Sequence, residues 1–355
     1  MHARSSFRPA TLALALAGLA SSAQALDIVL IQNGSLTAQQ LAGFESAASY
    51  WERMLSDNVT VYIEVGFGNL GSGVLAEASS TKTLVSYSAL RGLLTADAQS
   101  ATDTSAVAHL QSGSALTFQS TQGNLTSRLD NDGSTNNRQL FLTTANAKAL
   151  GQTVGTGLSQ PDASITFANG FAGSFAYSRV NGSVPAGQMD FITVAEHEIG
   201  HALGFVSGVD FIDNCAGAAN PCGLETAANR FENQTIFYSL DLFRYSAAGV
   251  LDLRVGGSPY FSVDGGATNI AGFSTGQEHG DGWQASHFVN SGLTLMKPTV
   301  SFGQSYDAFP QDLTAFDAIG WDLAAPVPEP ASYALLIGGL GVVAWARRRR
   351  NAVSA

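Results

Sequence analysis

Cysteine, histidine and charge are all scarce in this chain, and each scarcity narrows what it can be. Its 355 residues include two cysteines, Cys215 and Cys222, whose spacing does not fit the C-x2-C knuckle of a thiolate zinc site. Charged residues are 13% and the formal net charge is −11, which argues against nucleic acid and anionic membrane surfaces as partners. Only six histidines are present, so possible metal ligands can be taken one at a time. Long apolar runs are rare too. Thr11–Leu19 is too short to cross a bilayer. What is abundant is hydrophobic residues, at 45%, and glycine, at 38 residues; a sizeable core with many turns follows, in one large domain or two medium ones.

The two ends read as addresses. Arg4 and Arg8, the apolar stretch Thr11–Leu19 and the small-x-small site Ala23-Gln24-Ala25 form a secretory signal over residues 1–25. The mature chain then starts at Leu26, outside the cytoplasm. In that compartment a disulfide between Cys215 and Cys222, closing the Asp213–Gly223 loop, is the expected state, with a thiolate pair as its rival. At the other end Ala324–Pro330 is a Pro/Ala linker, Ala331–Ala346 is nearly uncharged, and Arg347–Arg350 is a basic stop. This reads as a short transmembrane helix with its C-terminus held in the cytoplasm. Val327-Pro328-Glu329-Pro330 before it resembles the PEP-CTERM sorting tail of Gram-negative bacteria. That resemblance implies export, transient anchoring in the inner membrane, and cleavage near Pro-Glu-Pro by an exosortase-type processing enzyme. Delivery would be to the cell surface or extracellular matrix. A plain tail anchor is the simpler alternative.

Between the ends, Asp27–Ile31 is a strand, Thr37–Leu55 carries helical periodicity through Leu41, Phe44, Ala48, Trp51 and Met54, and Thr60–Val65 is a second strand. That order predicts a parallel pair with a helical crossover. Thr81–Gln99 and Ser105–Gln111 read as helical or mixed, residues 112–138 as loop, and Arg138–Leu150 as a strand or a helix start. Ala163–Ala168 and Gly173–Tyr177 alternate like antiparallel strands, and such a strand could present its edge to an extended peptide. Asp130-Asn131-Asp132-Gly133-Ser134 offers Ca2+ ligands but lacks the EF-hand glycine and glutamate, so a solvated turn is favoured. Tyr260–Gly266 reads as a strand and tight turn that could shape a cleft wall. Leu313–Trp321 reads as a helix with a glycine stop.

One stretch carries chemistry: His197-Glu198-Ile199-Gly200-His201-Ala202-Leu203-Gly204. On a helix His197 and His201 lie one turn apart on one face and can hold one Zn2+ ion, while Glu198 sits beside the first ligand as a general base. Gly204 is placed to end the helix in a left-handed turn. The bland reading is a core helix with two satisfied histidines.

A third ligand is needed. The compact pattern HExxHxxGxxH would place it at position 207, where Ser207 stands, and Asp210 fits no defensible spacing. His2 lies in the signal and His109 in an ordinary segment, which leaves His279 and His287. His287 sits in Ala285-Ser286-His287-Phe288, followed by Leu295-Met296-Lys297-Pro298. HEIGHALGF, a long insertion, ASHF and then LMKP together resemble the leishmanolysin-type branch of the metzincin zinc proteases, over residues 193–321. Phe288 stands where that branch has tryptophan, and no cysteine precedes Glu198, so a thiol-switch propeptide is absent. The resemblance implies zinc held by His197, His201 and His287, Glu198 as catalytic base, and a methionine turn at Met296 beneath the metal, with His279 as the rival ligand. It implies an α+β, metzincin-like zincin domain over residues 26–323. A mixed twisted sheet would carry the site helix, and an irregular C-terminal subdomain would carry His287; residues 324–355 form the sorting segment. The activity implied is hydrolysis of extracellular proteins or peptides. Tyr306, after the methionine, is a packing residue or an oxyanion aid. The alternative is a non-catalytic surface or matrix protein with a structural zinc.

Overall fold

A computed structural model describes residues 26–224 and 230–325. The export signal and the segment read as a transmembrane helix lie outside the described residues. Among the described residues no helix is long and apolar enough to cross a membrane.

The expected opening unit is present. Strand β1 (Asp27–Asn33) runs parallel to β2 (Thr60–Gly68), and helix α1 (Ala38–Met54) crosses between them. Thr37 starts the helix: its hydroxyl accepts the Gln40 N–H at 3.2 Å, and the Gln40 side chain accepts the Thr37 N–H at 2.8 Å. Next come β3 (Ala76–Ser80), β4 (Lys82–Ser86), α2 (Tyr87–Asp97) and α3 (Ala101–Ala108). Residues 112–138, expected as loop, hold β5 (Phe118–Thr121), β6 (Ser127–Asp130) and the short α4 (Thr135–Arg138). The ambiguous Arg138–Leu150 stretch resolves into β7 (Gln139–Thr143), paired with β4, followed by α5 (Thr144–Ala149).

The expected antiparallel pair is corrected. Strand β8 (Ala163–Ala168) runs parallel to β2 and antiparallel to β3, which gives the sheet order β1-β2-β8-β3. Strand β8 is therefore central, and its alternation follows its fully buried face (Ala163, Ile165, Phe167) and its half-buried face (Ser164, Thr166) rather than a hairpin. Residues 175–176 form β9, which pairs in parallel with β10 (Met189–Asp190). The edges of this sheet are β1 and β3.

Helix α6 (Phe191–Ala202) packs against α1, β3 and β8. Phe191 is the knot of this packing, with ring centroids 4.9 Å from Phe44, 4.3 Å from Phe167 and 4.8 Å from Tyr177. Burying one such ring contributes about 1.5–3 kcal/mol. The helix needs Gly43 opposite, since a Cβ there would lie 2.5 Å from the Phe191 ring. Two buried indoles bond to backbone carbonyls of the same helix and its end: Trp51 Nε1 donates to Glu196 at 2.9 Å and Trp321 Nε1 to Leu203 at 2.8 Å.

After α7 (Val209–Cys215), the chain makes β11 (Arg244–Ala247), β12 (Val250–Leu253), β13 (Tyr260–Phe261) and β14 (Ala271–Gly272). These join β5 and β6 in a six-stranded sheet ordered β14-β13-β11-β12-β5-β6. The half expected to be irregular is thus partly sheet: β11, β12, β13 and β14 pair among themselves, and β12 alone reaches upstream, to β5. Tyr260–Gly266 does turn tightly, with φ of 68° and 86° at Gly265 and Gly266, but it lies within this sheet and not on the cleft. Cys215 and Cys222 form the expected disulfide.

Helix α8 (Pro310–Ala318) leads to the exit of the fold, where Ser56 N–H bonds to the Asp322 carbonyl at 2.8 Å and Ala324 N–H to Met54 at 2.8 Å. Carboxylates crowd this exit. Burial, followed by the charge of Asp322, pushes Asp57 up to about 7; burial, followed by Asp322 and Asp103, pushes Asp97 up to about 7. An unfolded chain releases these protons near 3.8, whereas the folded chain holds them to about 7. Their ionisation therefore opposes folding as pH rises through that window. Thermal melts should show Tm falling between pH 5 and about 7.5, with Asp97→Asn flattening the decline. An unchanged slope in that variant refutes the assignment.

Candidate metal centre

Helix α6 presents His197 and His201 one turn apart, as their spacing requires, and Gly204 ends it with a φ of 122°. His287 arrives from the far side of the insertion. The three Nε2 atoms converge: His197–His201 3.0 Å, His197–His287 3.2 Å and His201–His287 3.3 Å.

The tautomers follow from the other ring nitrogens. His197 Nδ1 lies 2.8 Å from the Leu295 carbonyl, His201 Nδ1 2.7 Å from Phe205 and His287 Nδ1 3.2 Å from Gln284. A carbonyl oxygen only accepts, so each Nδ1 carries the proton and each Nε2 is a bare lone pair. Three lone pairs cannot hydrogen-bond one another, and protonation is opposed. Burial pushes His197 down to about 4; burial and then its neighbour's charge push His201 to about 3 and His287 well below its ordinary value. A cation relieves this arrangement. A tetrahedral zinc with bonds of about 2.05 Å separates its ligand nitrogens by roughly 3.3 Å, close to what the rings provide. The residues present fit the ion.

Residues not marked as functional in the sequence build this geometry. Asp210, which suited no ligand spacing, accepts the backbone N–H groups of Ala285 (2.5 Å) and Ser286 (3.0 Å) and the Ser286 hydroxyl. The fully buried Arg244 donates to the Ala285 carbonyl at 2.9 Å from Nη1. Together they grip the backbone immediately before His287. Ser207, standing where the compact pattern has its histidine, gives its N–H to Ser286 Oγ at 2.9 Å. The insertion thus returns to the place that the short pattern would occupy directly.

Met296 is fully buried, and a Cβ at Gly200 would lie 2.7 Å from its sulfur. The methionine therefore fills the space left by the glycine between the two helical histidines. Asp312 of α8 fixes the turn, accepting Leu295 N–H (2.9 Å), Met296 N–H (3.2 Å) and Phe309 N–H (2.8 Å), together with the Thr294 hydroxyl. Pro310 begins α8, and the aspartate's partners in the turn lie 16 to 18 positions before it, beyond any local pattern.

Glu198 is 6% exposed and lines the same cleft of about 800 Å³ as the three histidines. Burial, and then the charge of Glu77, push it up to about 8. The cleft is bounded by Val74–Ala78 with the free edge of β3, by α6, and by segments 282–287 and 295–302. Tyr306 also lines it, its phenol donating to Gln304 Oε1. His279, the rival ligand, is not among the converging rings. It lies near Gly217 of the disulfide loop, and its N–H bonds to Asp213 at 2.8 Å.

The acidic loop considered for calcium is not a solvated turn. Asp130 is buried and accepts the side-chain amides of Asn136 and Asn137, each at 3.0 Å. Asp130, Asp132 and Glu232 cluster closely, and Arg128 Nη2 contacts all three, 3.0 Å from Asp130 and 3.3 Å from Asp132. A guanidinium already supplies the positive charge that a calcium ion would bring.

Comparison with known proteins adds one result. Residues 326–350 match the PEP-CTERM protein-sorting motif. The motif implies an exported chain, recognised at its C-terminal end by an exosortase and sorted to the surface of a Gram-negative cell. No curated protein and no solved structure matches the chain.

His287→Ala should reduce bound zinc from about one equivalent per chain to near zero, because two imidazoles alone are a poor site. Asp210→Ala should leave the ligands in place yet weaken zinc about 10- to 100-fold, as loss of an orienting partner does. Metal analysis and competition with a chromophoric chelator measure both. Full zinc retention by the His287 variant rules out the trio.

Proposed function

We propose that this chain is an exported zinc-dependent endopeptidase of metzincin type, acting on extracellular proteins at or near the cell surface. The observation that carries the reading is the convergence of three unprotonated Nε2 atoms in an open cleft that Glu198 also lines. A purely structural zinc is normally closed off by a fourth protein ligand. Here the only His, Cys, Asp or Glu side chains gathered at that point among the described residues are the three histidines.

When bound, zinc supplies a Lewis acid and a nucleophile at neutral pH. The chain's residues supply the rest. His197, His201 and His287 hold the ion in neutral form, each fixed in rotation by its carbonyl. Glu198 takes a proton from the attacking water and delivers it to the departing amine, as general base and then general acid. The free edge of β3 offers unpaired backbone groups along the cleft, so an extended peptide can align as one more strand. The edge is thus that of β3, rather than of Ala163–Ala168 or Gly173–Tyr177, the segments whose alternation suggests it.

Supplied with zinc, the purified chain should cleave casein or gelatin. A chelator should abolish the cleavage, and added zinc should restore it. Glu198→Ala should keep the metal while turnover falls about 10²- to 10⁴-fold, the usual contribution of a positioned acid–base group. Cleavage undiminished in Glu198→Ala, or none by the zinc-loaded wild type, refutes the proposal.

A further inference from the structure

The cleft holds one cation that the proposed chemistry does not use. Lys297 follows Met296 directly and lines the cleft together with Tyr306. Its ammonium lies 4.2 Å from the centroid of the Tyr306 ring. Among the described residues no carboxylate pairs with it. The nearest acid in sequence to that ring, Asp307, is taken by Arg179. An ammonium held only by a ring face keeps most of its hydrogen-bonding capacity, because such a contact at a partly exposed site is weak.

This pair is fixed relative to the metal ligands from both ends. On one side the Leu295 carbonyl, two residues before Lys297, holds His197 Nδ1 at 2.8 Å. On the other, the backbone of Tyr306 is clamped to α6. Its N–H donates to the Thr193 hydroxyl at 2.8 Å, and its carbonyl accepts from Arg179 Nη2 at 3.0 Å. The Thr193 hydroxyl in turn donates to Asp190 at 2.7 Å. Thr193 stands one turn before His197 on the cleft face of the helix, about 6 Å away along its axis. Lys297 thus lines the same cleft as the three histidines, on a wall tied to the site helix, where a peptide lying along that cleft can meet it. Glu77 lies on the β3 side of the cleft, so the two charges of opposite sign sit on different elements.

We infer that Lys297, backed by Tyr306, forms a subsite for a substrate carboxylate, so that the cleft takes polypeptides bearing Asp or Glu close to the scissile bond. This inference rests on the peptidase reading of the same site. It concerns one charge-assisted contact, whose gain or loss shifts binding about tenfold.

The test measures binding and turnover separately. The zinc-loaded full chain carrying Glu198→Gln is titrated, by fluorescence anisotropy, into labelled peptides in which one Glu is walked through a Gln-rich sequence. One Glu placement should bind about tenfold tighter than its Gln counterpart. Adding Lys297→Gln should equalise the two, and Lys297→Glu should instead favour Lys at that placement. If no placement tightens binding, or the preference survives Lys297→Gln, the subsite is refuted. The same peptides are then offered to the chain with Glu198 intact. Tightening that depends on Lys297 without any cleavage keeps the carboxylate subsite and removes the peptidase reading. Cleavage without a carboxylate preference does the reverse.

Discussion

The structure turns on a hydrogen-bonding constraint repeated three times. Each imidazole at the centre gives its outer N–H to a main-chain carbonyl, and each inner nitrogen is thereby left as an acceptor facing two other acceptors. Such an arrangement is unfavourable on its own terms, since three acceptors drawn within about 3 Å of one another offer no donor among themselves. The surrounding fold must hold it together. It does so with carboxylates that accept backbone N–H groups: the half-buried Asp210 from the segment before His287 and the buried Asp312 from the turn at Met296. Two rigid ends and one rigid helix fix three rings, and the cost of their mutual approach is spread across a packed core.

Much of this centre was legible before any coordinates, because its first part is local. Two histidines four apart, a glutamate between them and a glycine stop depend only on helical geometry. The strand–helix–strand opening was legible for the same reason, since Phe44, Ala48 and Trp51 mark one face of α1. The third histidine has no local signature and stands out only through the family resemblance and the small number of histidines in the chain. Its support was not legible, because Asp210 acts on residues 75 and 76 positions further on. No local pattern encodes that distance.

Missed strands have a related cause. Gln119, Ser120 and Thr121 have the composition of a loop. They pair with β6 just downstream, and Gln119 and Ser120 also pair with Asp252 and Leu253, from a segment more than a hundred residues later in the chain, which sets β5 inside a larger sheet. Likewise β3 is mostly small and polar and carries no element in the sequence reading, yet it forms an edge of the four-stranded sheet and borders the cleft. Propensity fails where register with a remote partner decides the backbone. The acidic turn at residues 130–134 was misjudged for want of a single neighbour, Arg128, whose role depends on Glu232 being folded against it.

The anchoring of the fold's last residues has a mechanical meaning. Leu323 bridges to Leu55, Ala324 is bonded to Met54, and the matched sorting motif begins at residue 326. Pro330 stands six positions after Ala324, and a polypeptide of that length reaches at most roughly 20 Å, whatever its shape. A body released and reattached near that point would ride on a short leash, close against whatever carries it. Its reach would then be confined to its immediate neighbours on the same surface, and diffusing targets would have to come to it.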